Sequence, residues 1–292
     1  MTTPGRFPRG LLSAPMRVSI TCAMSDLRAP SSEVESPAEA AAAAPTADGT
    51  AQPDPTPLAT PQPSRLRRAW QWALRAVVLA LIASFALAAI YRFVPVPITP
   101  LMVLRLFEGE GFAKDWVSYD EISPNLARAV IAAEDSGFCQ HWGFDFEAIQ
   151  RALQHNEKSN RLRGGSTISY QTAKNVFLWP GDTRIGRYSR KAIEPFFTLL
   201  IEAMWGKRRI LEVYLNVVEW GHGVYGAEAA AQYHFHKSAS ALSRREAALL
   251  AAVLPNPRRF DAGKPSSYVK RRANAIQGRM NDVADPTGSP CQ

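Results

Sequence analysis

Cysteine is scarce and scattered. Cys22, Cys139 and Cys291 stand far apart in 292 residues, so the chain has neither the multi-bridge framework of a small secreted scaffold nor a paired metal-ligand spacing. Runs of alternating apolar and polar residues are missing, which excludes a mainly β architecture. No segment repeats at a fixed period, which excludes a solenoid. A nucleotide P-loop is absent too: after Gly164-Gly165 the next lysine is Lys174, too far along for that motif. Aromatics are almost lacking before residue 65, where Pro, Ala, Ser and Thr dominate. Such a segment cannot bury enough apolar surface to offset its ordering entropy. Residues 1–68 are expected to be a disordered tail.

What is present begins with one long apolar run. Ala76 to Ile90 carries no charge, and Trp70, Trp72 and Tyr91 flank it. A span needs roughly 17–25 largely apolar residues, with aromatics at its interfaces. Residues 69–94 are therefore expected to be a single transmembrane anchor, with Arg75 snorkelling to the interface. Arg65, Arg67, Arg68 and Arg75 precede the run and only Arg92 follows closely. The positive-inside rule puts the tail in the cytoplasm and residues 95–292 outside. A cleaved signal peptide is disfavoured, because the run lies deep in the chain.

Residues 95–292 read as one mainly α-helical domain. Ser123-Pro124 opens a helix with Leu126, Ala129, Val130 and Ala133 at helical spacing. Asp145 is the expected N-cap of the next. A long helix with Pro195 as an interruption is expected around residues 190–205. Ile210, Val213, Tyr214 and Val217 share one apolar face, and Ser243 with Glu246 forms a capping box closed by Pro255. Net charge is +8, and residues 151–209 hold 12 basic against 4 acidic groups. That local excess suits a polyanion: nucleic acid, anionic lipid or a phosphorylated substrate.

Three stretches carry chemistry. Residues 132–145 put Glu134 and Asp135 beside Phe138, His141, Trp142 and Phe144, a setting that suits general-acid or general-base work. A solvated helix end is the plainer alternative. In residues 161–175, Gly164-Gly165 can bend tightly and present Ser166, Thr167 and backbone N–H groups at a helix start, where anions are favoured. Lys174 falls two turns later on about the same face. An ordinary capped helix fits as well. Arg184, Arg187, Arg190 and Lys191 crowd a third helix start ahead of Glu194, against the macrodipole preference. Such crowding asks for a partner anion, or else marks a solvated basic face.

In order, the motifs are E-D-x-x-F-x-x-H-x-G-x-D at Glu134–Asp145, G-G-S-T-I-S-x-Q-x-x-K-N at Gly164–Asn175, R-K-x-x-E at Arg190–Glu194 and K-R-R-I-L-E-x-Y-L-N at Lys207–Asn216. Together they resemble glycosyltransferase family 51, the peptidoglycan glycosyltransferases, and in pattern its monofunctional biosynthetic members. The resemblance runs from about Val94 to about Met280. It implies a lysozyme-like helical domain and lipid II, a disaccharide-pentapeptide on undecaprenyl diphosphate, as substrate. It implies Glu134 as the base in an inverting β-1,4 transfer, with Glu194 as second carboxylate. Lys174, Arg190 and Lys191 would neutralise the diphosphate. Ser166, Thr167 and Gln171 would line the same site, with Asp135, Phe138 and His141 shaping the first motif. No cofactor is required by the sequence; a divalent cation, Mg or Mn, could join Glu194. The expected partners are lipid II, the growing glycan, the inner membrane and other wall-synthesis proteins, not nucleic acid, with the catalytic domain periplasmic. The apolar stretch PLMVLRLFEGEGF would dip into the membrane surface.

Departures from the family pattern are few. Tyr170 stands where glutamine is usual, which should alter affinity. The upstream site arginine could be Arg184 or Arg187. His236 replaces a common glycine, a change expected to be harmless. Ser267 to Lys270 matches S-x-x-K, but no K-T-G follows, so glycan polymerisation without peptide cross-linking is expected. A lytic enzyme of similar fold is the alternative, although cleavage has no diphosphate to bind. A non-enzymatic scaffold is the other.

Overall fold

The computed structural model describes residues 64–158, 164–181 and 184–283, with the side chains of Arg184 and Ile185 left out. The tail expected over residues 1–68 lies outside these residues up to position 63. The order begins α1 (Arg65–Tyr91), α2 (Pro100–Phe107), β1 (Ala113–Lys114), α3 (Pro124–Glu134), α4 (Phe146–Lys158), α5 (Ile168–Phe177) and α6 (Arg184–Met204). It continues with α7 (Lys207–Val217), β2 (Glu219–Gly221), β3 (Val224–Tyr225), α8 (Ala227–Phe235), α9 (Arg244–Val253) and α10 (Ser267–Arg279). The domain is mainly helical, as expected. The strands form one small sheet in the order β1-β3-β2, β1 parallel and β2 antiparallel to β3. Its tight β2–β3 turn needs Gly223: φ is +66°, and a Cβ there would come 1.9 Å from the Gly111 carbonyl oxygen.

Helix α1 spans 27 residues, long and apolar enough to cross a membrane, and its side chains are almost all exposed. Its start precedes the expected anchor boundary because Ser64 caps it, accepting from the Arg67 N–H. Its last turn is fastened to the domain. Trp205 donates its indole N–H to the Ala88 carbonyl at 2.8 Å. Arg209 donates to the carbonyls of Tyr91, at 2.9 and 3.1 Å, and Val94, at 2.7 Å. The carbonyl of Tyr91, the last residue of α1, thus finds its partners in Arg209 of α7.

The core is built on α7 and α9. Ile210 to Val217, apart from Glu212, and Ala247 to Val253 are buried. The alanines of α9 let α3 and α10 pack closely on either side. The predicted starts hold: Ser123 precedes Pro124, Asp145 accepts the Ala148 N–H at 2.7 Å, and Ser243 with Glu246 closes a capping box. Pro195 does not interrupt its helix; α6 runs through it. The carbonyl of Lys191 merely loses its donor on an exposed turn, while the Thr198 hydroxyl donates to the Glu194 carbonyl at 2.9 Å. His236 stands at a strained position. It ends α8 with φ +55°, the left-handed conformation where a Cβ is strained.

Candidate active site

Glu134 is the last residue of α3, and its side chain is 16% exposed. Its Oε2 accepts from Gln171 Nε2 at 3.0 Å, and its Oε1 lies 3.8 Å from Arg272 Nη2. Gln171 and Lys174 sit one turn apart on α5, so both reach the same side of that helix. Gln171 is itself fixed by Tyr214 of α7, whose hydroxyl donates to Gln171 Oε1 at 3.2 Å.

Lys174 joins the carboxylate to the basic cluster. Burial pushes its ammonium below the ordinary value of 10.5, helped by the charges of Arg190 and Lys191 and opposed by Glu194 and Glu134. All four groups therefore lie within electrostatic reach of one buried ammonium. Glu194, on α6, is buried at 1% exposure. Arg190 Nε lies 2.9 Å and Lys191 Nζ 3.8 Å from its carboxylate, and Tyr170 donates its hydroxyl to it. Two cations and a hydroxyl thus surround the Glu194 carboxylate. Among the described residues, no trio of His, Cys, Asp or Glu side chains gathers to hold a metal ion.

Asp135 follows Glu134 at the end of α3. It is buried, and its Oδ2 accepts the Ile168 N–H at 2.9 Å while Oδ1 meets His141 Nε2 at 2.9 Å. The anion at the N-terminus of α5 is thus Asp135 itself, so that helix start is no open phosphate cradle. Thr167 is also buried; its hydroxyl accepts the Tyr170 N–H at 3.1 Å and donates to the Gly143 carbonyl at 2.6 Å. Phe138 is a core residue with Lys207 Nζ 4.7 Å from its ring centre. Asp135 and Thr167 are bonded into the frame and also line the space beside Glu134, whereas Phe138 lies in the core.

The open space runs past this frame. A cavity of about 120 Å³ is lined by Glu134, Asp145, Gly165, Ser166 and Arg279. Gly165 and Ser166 also line a neighbouring, mostly apolar cavity of about 300 Å³, with Phe144, Leu153, Tyr170 and Lys191. Gly165 has a packing reason: a Cβ there would come 3.0–3.1 Å from Ile149 of α4. His141 faces a third space of about 620 Å³ with Asp145, Arg151 and Asp282.

Residues 102–281 match the model of the transglycosylase family. The chain belongs to that family. It is accordingly an enzyme that transfers glycosyl groups. Similar relatives are biosynthetic peptidoglycan transglycosylases. That of Caulobacter vibrioides is 53% identical over 212 residues, 72% of this chain and 91% of the relative. That of Rhodospirillum centenum is 54% identical over 217 residues, 74% of this chain and 91% of the relative. That of Bdellovibrio bacteriovorus is 50% identical over 225 residues, 74% of this chain and 88% of the relative.

In this transglycosylase the sequence motifs do converge: Glu134, Gln171, Lys174, Arg190, Lys191 and Glu194 meet between α3, α5 and α6. Arg187 is exposed on the first turns of α6, and the Arg184 side chain lies outside the described residues. Tyr214 and Arg272 were missed. Tyr214 reads as one more apolar-face residue, and Arg272 as one charge in a basic run. No local signal marks either, because each meets its partner across the fold.

Proposed function

We propose that this transglycosylase polymerises lipid II into β-1,4-linked glycan at the outer face of the inner membrane, without cross-linking peptide. Glu134 takes the proton of the acceptor 4-hydroxyl. The freed oxygen pair forms the new bond to the anomeric carbon as the carbon–oxygen bond to the diphosphate breaks, with inversion. The bonding electrons leave on undecaprenyl diphosphate. Lys174, Arg190 and Lys191 balance the charge gathering there, in a site where low dielectric strengthens each interaction. Glu194 holds Arg190 and Lys191 in place.

The observation that carries this reading is the position of Lys174, within reach of both Glu134 and the Arg190–Lys191–Glu194 cluster. A base and a cationic leaving-group site in one cleft suit displacement of a diphosphate. Cleavage of a finished glycan has no use for the second. The arginines in the first turns of α1, ahead of the apolar run, support a cytoplasmic N-terminus and an external domain. The apolar α1 would keep the enzyme where a polyprenyl substrate resides.

The test is polymerisation of labelled lipid II by wild type and Glu134→Gln, beside incubation with isolated sacculi. Polymer from the wild type alone, and no soluble muropeptides, is expected. Muropeptide release would favour the lytic alternative. Full activity of Glu134→Gln would remove the base.

A further inference from the structure

We propose that Tyr214 is a positioning residue for Glu134, acting through the side-chain amide of Gln171. The inference rests on Glu134 being the base. Tyr214 is completely buried in α7, between the core and the site. Its hydroxyl donates to Gln171 Oε1 at 3.2 Å, and Gln171 Nε2 donates to Glu134 Oε2 at 3.0 Å.

A glutamine amide has two nearly isosteric orientations. Here only one satisfies both neighbours. The reverse would set a carbonyl oxygen against the carboxylate and an NH2 group against the phenol. The phenol is a dependable donor, because burial and the nearby charges of Glu134 and Asp135 push its pKa well above 10.0. It therefore keeps its proton throughout the working range, and the amide keeps its N–H toward Glu134. With Oε2 held this way, Oε1 is the oxygen left facing Arg272. On this reading Oε1 is left to receive the acceptor proton. A buried core tyrosine thus sets the angle of a base it never touches.

The test is steady-state polymerisation of lipid II by the full-length protein, comparing Tyr214→Phe, Gln171→Ala and the double variant. Tyr214→Phe removes one hydroxyl and keeps the ring in the core. Its kcat should fall by about 3- to 10-fold, the worth of one hydrogen bond, with KM unchanged. In the Gln171→Ala background the same change should have no further effect, since the amide is the only route. Wild-type kcat in Tyr214→Phe overturns the proposal. So does a loss that multiplies fully with that of Gln171→Ala, or failure of Tyr214→Phe to fold, because the hydroxyl would then serve stability. Glu134→Gln is measured in parallel. If it remains active, the base reading fails, whatever Tyr214→Phe does.

Discussion

Asp135 caps a helix that it does not belong to: its Oδ2 accepts the N–H of Ile168, the first residue of α5, at 2.9 Å. The bond joins the end of α3, which presents Glu134, to the start of the helix that presents Gln171 and Lys174. A carboxylate at a helix N-terminus is favoured by the macrodipole as well as by the hydrogen bond. Base and cation are thereby held at a fixed separation by a residue with no need to touch substrate.

Asp135→Asn should weaken both contacts, because a neutral amide replaces the carboxylate that accepts from Ile168 and meets His141. A loss of about 1–3 kcal/mol in unfolding free energy is expected for a buried, charged acceptor. Denaturant unfolding of the detergent-solubilised protein measures it. An unchanged midpoint would mean that the cap is dispensable.

Lys174 makes opposite predictions for stability and activity. Its folded-state pKa lies below the ordinary 10.5, chiefly through burial. Below that lowered pKa the fold must bury an ammonium, which is destabilising. As pH rises through it the folded state sheds the charge first, so this group's contribution to stability increases until the unfolded pKa is passed. Activity moves the other way, since the neutral amine no longer offsets the diphosphate. Lys174→Arg stays charged throughout. The alkaline fall in kcat/KM should therefore come at lower pH in the wild type than in Lys174→Arg. Coincident alkaline limbs would contradict this.

Arg209→Met should loosen the junction between α1 and the domain. Three carbonyl contacts, two to Tyr91 and one to Val94, lose their donor. We expect a loss of about 1–3 kcal/mol, by the scale of hydrogen bonds to charged groups. Faster proteolysis over residues 92–98 should accompany it. Unaltered cleavage kinetics would show that Trp205 suffices.

His236→Gly should stabilise. The left-handed backbone at φ +55° strains a residue with a Cβ by roughly 1–2 kcal/mol, part of which glycine returns through the entropy of its unfolded chain. A net gain of about 0.5–1 kcal/mol is expected. A lower melting temperature would refute it.

Local signals in the sequence mark several helix starts and the apolar run, though not the small sheet. Ser123-Pro124, Asp145 and the Ser243–Glu246 pair mark helix starts because capping is settled within three or four residues. The uncharged run at 76–90 marks α1 for the same reason: hydropathy is a property of the segment. Pro195 misled because one lost hydrogen bond on an exposed turn is tolerable in a 21-residue helix that packs elsewhere. Gly164–Thr167 left a capped helix and an anion cradle both open; Thr167 caps α5, and the carboxylate at that helix start, Asp135, comes from 33 residues upstream of Ile168.

The chain itself therefore determined its helices, its apolar span and the residue types that transfer chemistry would use. Folding alone decided which of them face one another. Asp135 turned inward to brace α5, Phe138 went to the core, and Tyr214 and Arg272 arrived beside the base from distant helices. The physical reason is range. Capping and hydropathy act over a few residues, whereas the orientation of a carboxylate depends on every group that packing brings within a few ångströms of it.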